Sequence, residues 1–265
     1  MRFKDKIALV TGSVSGGIGE AIARRLARAG ARVMVHGRPQ EQDAAQRVVQ
    51  AIRDEAGEAA FHPALLENPS ECEALIEAVV ARFGGIHILV NNAATITRSN
   101  LETTDAATFD YTIAVNLRAP LLLIRAALPH FRRQGGGAVL NIGSINAYCG
   151  EANQLAYSIS KGGLMTLSRN LADAHGHEGI RVNHFNLGWV LTPHEYQLKI
   201  KEGLPADWPQ HIPAVYAPSG RILSPDEIAY FALAFLDDEA ALVNGAVVEL
   251  EQYPVIGRNP VKESF

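Results

Sequence analysis

The chain is short of cysteine, of aromatic residues and of excess charge, and each shortage narrows what it can be. Two cysteines in 265 residues, Cys72 and Cys149, are too few for a disulfide framework or a thiolate metal site, so a reducing cytoplasm is the expected setting. A net charge of −4 leaves no basic footprint for nucleic acid. No uninterrupted apolar run approaches the roughly 18 residues of a membrane span, and the opening "MRFKD" lacks the pattern of a signal peptide. Nucleic acid and membrane are therefore not expected partners. No metal is expected either, because His175 and His177 fall near a helix end, where they complement its dipole. What is plentiful is apolar: 48% hydrophobic against 20% charged, the composition of an ordinary globular protein.

Strand-like runs at Ile7–Val10, Arg32–Val35, Ala59–His62, His87–Asn91, Ala138–Ile142, Arg181–Phe185 and Ala246–Leu250 alternate with helix-like segments near 18–29, 40–56, 70–83, 106–133, 155–176 and 226–237. This alternation predicts an α/β fold, a three-layer doubly wound Rossmann-type domain on a seven-stranded parallel sheet. The runs are largely apolar rather than alternating, as in strands buried on both faces. No linker or repeat divides the chain, so residues 1–265 read as one domain. The irregular stretch at about 190–224, rich in proline, histidine and aromatic residues, is long for a plain connection and reads as a substrate lid.

The segment "TGSVSGGIGEAIARRLA", residues 11–27, joins the first strand to the first helix. From Gly12 to Gly17 the spacing is that of a P-loop, but Ile18-Gly19 stands where Lys-Ser/Thr is needed, which removes the case for an NTPase. The G-x-G-x-x-G fingerprint fails too, because Ile22 occupies its third glycine site. What remains is a strand, a glycine-rich turn and a helix with Ile18, Ile22 and Leu26 on one face, closed by Gly30. Backbone N–H groups at such a helix start can hold a pyrophosphate.

Further motifs follow in order: "NNAA" at 91–94, Asn116 in "VNLRAP", Ser144 in "IGSINA", and Tyr157 and Lys161 in "YSISK", with Ser144 and Tyr157 13 residues apart. With the glycine turn they make the chain resemble the short-chain dehydrogenase/reductase family nearly end to end. The turn departs by one surplus residue among Ser13, Val14, Ser15 and Gly16, since Gly17 and Gly19 match the paired glycines at the family's helix start.

The resemblance implies a catalytic set of Asn116, Ser144, Tyr157 and Lys161. A free tyrosine titrates near pH 10, and a nearby cation lowers such a pKa by about 1–3 units, so Lys161, one helical turn on, is expected to lower that of Tyr157. Ser144 is expected to polarise the carbonyl, Asn116 to position a relaying water, and Lys161 to hold the nicotinamide ribose as well. The expected cofactor contacts are Gly12, Ser13, Ser15, Gly17, Ile18 and Gly19 on the turn, Gly37 and Arg38 after the second strand, and Leu65 and Leu66 after the third. They continue with Asn92, Ala93 and Ala94 after the fourth strand, Tyr157 and Lys161, and Leu187, Gly188, Val190 and Thr192 after the sixth.

Gly37 stands where NAD-selective members carry an acid, and Arg38 follows it, suited to a 2′-phosphate. NADP(H) is therefore the expected cofactor, with NAD(H) the alternative, and a protonated His36 could assist. Three family features are missing: the adenine-contacting aspartate is Leu65, "NPG" reads "NLG" at 186–188, and "DGG" reads "EQY" at 251–253.

The expected reaction is hydride transfer between the nicotinamide and a secondary alcohol or ketone. The loop residues Asn146, Tyr148, Glu151, Asn153 and Gln154, with His194, Glu195, Tyr196 and Trp208 on the irregular stretch, would line a polar pocket. Of these, Asn146, Asn153, His194 and Trp208 are the candidate substrate contacts, for a sugar, polyol or hydroxy acid as the small-molecule partner. A 3-oxoacyl-carrier-protein reductase and a cofactor-binding regulator with little turnover are the alternatives. The family's habit of assembly predicts a homotetramer or homodimer.

Overall fold

The computed structural model describes residues 1–253. Seven strands form one parallel sheet in the order β3-β2-β1-β4-β5-β6-β7: β1 Ile7–Val10, β2 Arg32–Gly37, β3 Glu58–Pro63, β4 Ile88–Asn91, β5 Gly137–Ser144, β6 Ile180–Leu187 and β7 Val247–Leu250. The Rossmann-type architecture and the seven parallel strands match the expectation. Strands β1, β4, β5 and β6 are buried almost throughout, while the edge strands β3 and β7 are only partly covered.

Helices cover both faces. On one, α1 (Ile18–Arg28), α2 (Gln42–Asp54) and α9 (Pro225–Leu236) pack through Ile22, Leu26, Val48, Ile52, Ile228 and Ala232. On the other, α3 (Pro69–Phe83), α5 (Ala119–Arg133) and α7 (Leu155–His175) supply Leu75, Ile76, Leu123, Phe131 and Ala172. Each stripe recurs at three- and four-residue spacing, so one side of each helix leaves water. Gly30 takes φ +102° just beyond α1, a left-handed conformation that suits glycine at a helix end.

The predicted helix over 106–133 is not uniform. It runs as α4 (Ala106–Ile113), a π-helical turn over Ala114–Arg118, and α5. Ala106–Arg133 is long and apolar enough by composition to cross a membrane, although Arg118 and Arg125 interrupt its apolar run, but here it packs in the core against α3. The irregular stretch also has structure. Helix α8 (Pro193–Lys201) and a short 3-10 turn at Trp208–Gln210 enclose a small core of Trp208, Ala217 and Ile222, with Trp189, Tyr196 and Ile200 packed on it. Its two ends meet in a bridge between Val190 and Leu223. A four-residue helix, α6 (Asn146–Cys149), follows β5.

Candidate active site

Strand order reverses between β1 and β4, and the crevice beyond their C-terminal ends is where doubly wound sheets bind nucleotides. The glycine turn is stitched to it from below. Thr11 Oγ1 accepts from the N–H groups of Asn92 and Ala93, each at 3.0 Å. Asn92 Nδ2 returns to Thr11 O and Gly12 O, both at 2.9 Å. Gly12 takes φ +61°, and a Cβ on Gly19 would sit 2.4 Å from Asn92 Nδ2 and from Gly12 O, so a side chain at either position breaks the turn. Gly17, the N-cap of α1, makes no side-chain cap bond, which leaves the helix start to a ligand. These residues fit the pyrophosphate of a dinucleotide.

Two expectations for the turn are corrected. Ser13 is buried: its hydroxyl donates to Val10 O at 2.8 Å and accepts from His36 N at 3.0 Å, so it does not face a phosphate. The surplus residue is absorbed by tucking Ser13 and Val14 inward, and only Ser15 and Gly16 project. His36 is no auxiliary cation either. Desolvation by burial lowers its pKa to about 4, its Nδ1 accepts from Gly12 N at 3.1 Å, and its Nε2 meets Ala64 O at 3.2 Å. A neutral ring thus braces the turn from behind.

Arg38 extends beyond β2, with Nη1 donating to Tyr111 on α4 at 2.7 Å and Nη2 lying 3.1 Å from a carboxylate oxygen of Glu67. Leu65 donates its N–H to Glu71 at 2.6 Å, and Leu66 is buried. Ala94 is exposed at the crevice mouth, while Ala93 lies against Gly12. Across the crevice, Thr192 caps α8 through Glu195 N at 3.1 Å and packs near Gly17, and Pro193 faces Gly16. This brings Leu187, Gly188 and Val190 to the same end of the sheet as the glycine turn.

The catalytic candidates converge. Ser144 ends β5, and Tyr157 and Lys161 lie one turn apart on α7, with Lys161 Nζ 5.5 Å from the Tyr157 ring centre. Lys161 Nζ donates to Ile142 O at 2.8 Å. The π-helical turn carries Asn116, and such turns recur at functional sites. Its amide pairs with the backbone of Thr95 at 2.8 and 2.9 Å and donates to Ser160 Oγ at 3.1 Å. The expected lowering of the Tyr157 pKa is not found in the chain alone. Desolvation by burial pushes it up to about 12, against an opposing hydrogen bond from Ser144 and with a further rise from the Glu151 carboxylate. Desolvation also brings Lys161 down to about 8. Burial thus sets the direction for both groups.

Of the substrate candidates, Asn146 and Asn153 are on the loop between Ser144 and Tyr157. Asn146 Nδ2 lies 3.4 Å from both Glu151 and Gln154, and Gln154 donates to Glu151 at 2.8 Å, making a polar patch beside Tyr157. Asn153 is exposed, as is His194 on α8. Trp208 is a correction: it is 3% exposed and stacks on Trp189 at 5.4 Å, so it belongs to the core of its segment. Trp189, half-buried directly after Gly188, carries that stack. It was not anticipated, although a tryptophan beside that glycine was a visible signal.

A buried polar row was also missed. Asn91, Asn141 and His184 stand opposite one another on β4, β5 and β6. Asn91 donates to Asn141 at 2.8 Å, Asn141 to Ser168 of α7 at 2.9 Å, and His184 lies 3.1 Å from Ser168 Oγ and 2.9 Å from Asn186 Oδ1. Desolvation lowers the pKa of His184 to about 4, assisted by the charge of Lys161.

Buried neutral His36 and His184 set an acid limit on stability. Each binds a proton near pH 6.5 when unfolded but only near pH 4 when folded. Between those values the unfolded state holds more protons, so stability rises with pH across the window and is lost as pH falls through it. We expect a loss of about 1–2 kcal/mol per histidine between pH 7 and pH 5, measured by urea unfolding. An unfolding midpoint unchanged over that range would contradict it.

A parallel sheet of this order with a glycine turn at its switch point defines a Rossmann-type dinucleotide-binding fold. The chain belongs to the short-chain dehydrogenase/reductase family. A family model described as enoyl-(acyl carrier protein) reductase matches residues 12–251. A D-beta-hydroxybutyrate dehydrogenase of Rhizobium meliloti is 34% identical over 93% of this chain and 97% of its own. A D-threitol dehydrogenase of Mycolicibacterium smegmatis is 34% identical over 92% of this chain and 91% of its own. An L-sorbose reductase of Gluconobacter frateurii, complexed with NADPH and L-sorbose, superposes with a TM-score of 0.89 at 28% identity, covering 95% of this chain and 98% of that one. The substrates named for these relatives are a hydroxy acid, a polyol and a ketose, and the chain is, like them, an oxidoreductase acting on CH–OH groups.

Proposed function

We propose that this protein interconverts a secondary alcohol and a ketone in a small, neutral, hydroxylated molecule, with NADP(H) as the preferred cofactor. The observation that carries this is the polar patch of Asn146, Glu151 and Gln154 beside Ser144, Tyr157 and Lys161. Hydroxyl groups extend the hydrogen bonding of such a patch, whereas a long acyl chain covers it without offering a donor or acceptor, at about 1–3 kcal/mol for each polar group it leaves unpaired.

In the reductive direction Tyr157, protonated at neutral pH, gives its proton to the substrate oxygen. Ser144 donates a hydrogen bond to that oxygen. The ammonium of Lys161 faces the tyrosinate that forms. Asn116, anchored at Thr95 and Ser160, ties the π-helical turn to α7 and to the segment after β4 beside the site. When bound, the nicotinamide supplies or accepts the hydride. Gly12, Gly17, Ile18 and Gly19 hold the pyrophosphate, and Arg38, with no acid at Gly37, addresses the 2′-phosphate. Exposed Leu121 on α5 and Ile159 on α7 support assembly through those helices.

The test is a screen of ketoses, polyols, 3-hydroxy acids and acyl-carrier-protein thioesters, following nicotinamide absorbance with both cofactors. Turnover of neutral ketoses or polyols with NADP(H) is expected. Activity confined to carrier-protein thioesters, or to NAD(H), would overturn the proposal.

A further inference from the structure

Arg38 is not a free cation. Glu67 lies on the turn between β3 and α3, next to Leu65 and Leu66, and its carboxylate sits 3.1 Å from Arg38 Nη2. The turn that carries it is held in place. Arg118 of the π-helical turn donates to Glu67 O at 2.7 Å, and Glu71 braces the turn through Leu65 N and Asn68 Nδ2 at 2.6 and 2.7 Å. A second acid, Glu41, accepts from Arg38 N at 2.7 Å. Tyr111 holds the guanidinium from the far side but carries no charge to offset it. The guanidinium is thus paired with one carboxylate, that of Glu67, while Glu41 holds the backbone N–H of the same residue at the end of β2.

We infer that Glu67 is a specificity-determining residue for the cofactor, occupying Arg38 and so narrowing the enzyme's preference for NADPH over NADH. The inference rests on the proposed role of Arg38. A 2′-phosphate carries close to two negative charges and must take the guanidinium from Glu67, whereas a 2′-hydroxyl makes no such demand. Glu67 is a positioning residue that acts through Arg38.

The experiment is calorimetric titration of the full chain with NADPH and with NADH, for wild type, Glu67→Gln, Arg38→Ala and the double variant. Glu67→Gln is expected to tighten NADPH by about tenfold and to leave NADH within about twofold, with a gap that shrinks as salt rises. NADH serves as the folding control, because a merely structural lesion moves both affinities together. In the Arg38→Ala background the selective gain is expected to vanish. Unchanged or parallel affinities in Glu67→Gln would overturn the inference, as would an equal gain without Arg38. If Arg38→Ala leaves the NADPH-to-NADH ratio as in wild type, the reading of Arg38 itself fails. If only Glu67→Gln fails, that reading stands.

Discussion

Replacing Tyr157 with phenylalanine is expected to cut kcat by a factor of about 10²–10⁴, the range that one positioned proton donor contributes. The hydroxyl is the only part removed, and the ring stays in a site that is 9% exposed. Packing is therefore kept and cofactor affinity should change little. Ser144 loses one hydrogen-bond partner but retains its contact with Asn146 N at 3.2 Å. The loss should fall on kcat rather than on KM, since the proton moves only in the transition state. The check is steady-state turnover alongside a cofactor titration. Near wild-type turnover with an identified substrate would remove Tyr157 from the chemistry.

The Gly143→Ala variant should suffer the largest loss of stability. A Cβ there would lie 2.0 Å from His184 Nε2 and 2.6 Å from Asn186 Oδ1. Neither neighbour can yield cheaply. The His184 ring is tied to Ser168 and Asn186, and turning it away leaves buried polar groups unpaired. Overpacking and broken buried hydrogen bonds together cost on the order of 3 kcal/mol. For a chain of this size that lowers Tm by roughly 6–12 °C. Gly143 also lies between Ile142, whose carbonyl accepts from Lys161, and Ser144, so activity should fall with stability. Thermal and urea unfolding measure the first effect, and turnover at a permissive temperature the second. A variant melting within about 2 °C of wild type would show that the sheet can shift to admit the methyl.

Both predictions concern residues 14 positions apart, on one strand and its neighbouring helix, yet they were not equally visible in the sequence. Tyr157 was found because Y-x-x-x-K sits at a fixed distance from Ser144 and follows a strand. Gly143 was not, because its neighbours His184 and Asn186 lie more than forty residues away. A trace of them was present. His184 and Asn186 stand two apart in an apolar strand, as do Asn141 and Gly143, which puts each pair on one face. Polar residues at that period in a buried strand imply a partner, but they do not say which one.

The same division separates what the chain alone determined from what folding decided. Alternation of apolar strands and amphipathic helices determined the sheet and its parallel sense, since those periodicities are local and follow from backbone geometry. The resemblance of ordered local motifs to the family likewise singled out Asn116, Ser144, Tyr157 and Lys161 as candidates. The tertiary structure decided everything that depends on what surrounds a group. It turned Ser13 inward, made His36 a neutral brace, placed Trp208 in a core and set Glu67 against Arg38. It also reversed the expected direction for Tyr157, because desolvation in a buried site raises the pKa of a phenol more than the Ser144 hydrogen bond lowers it. Burial and charge environment are sums over residues distant in the chain, so no local pattern can report them.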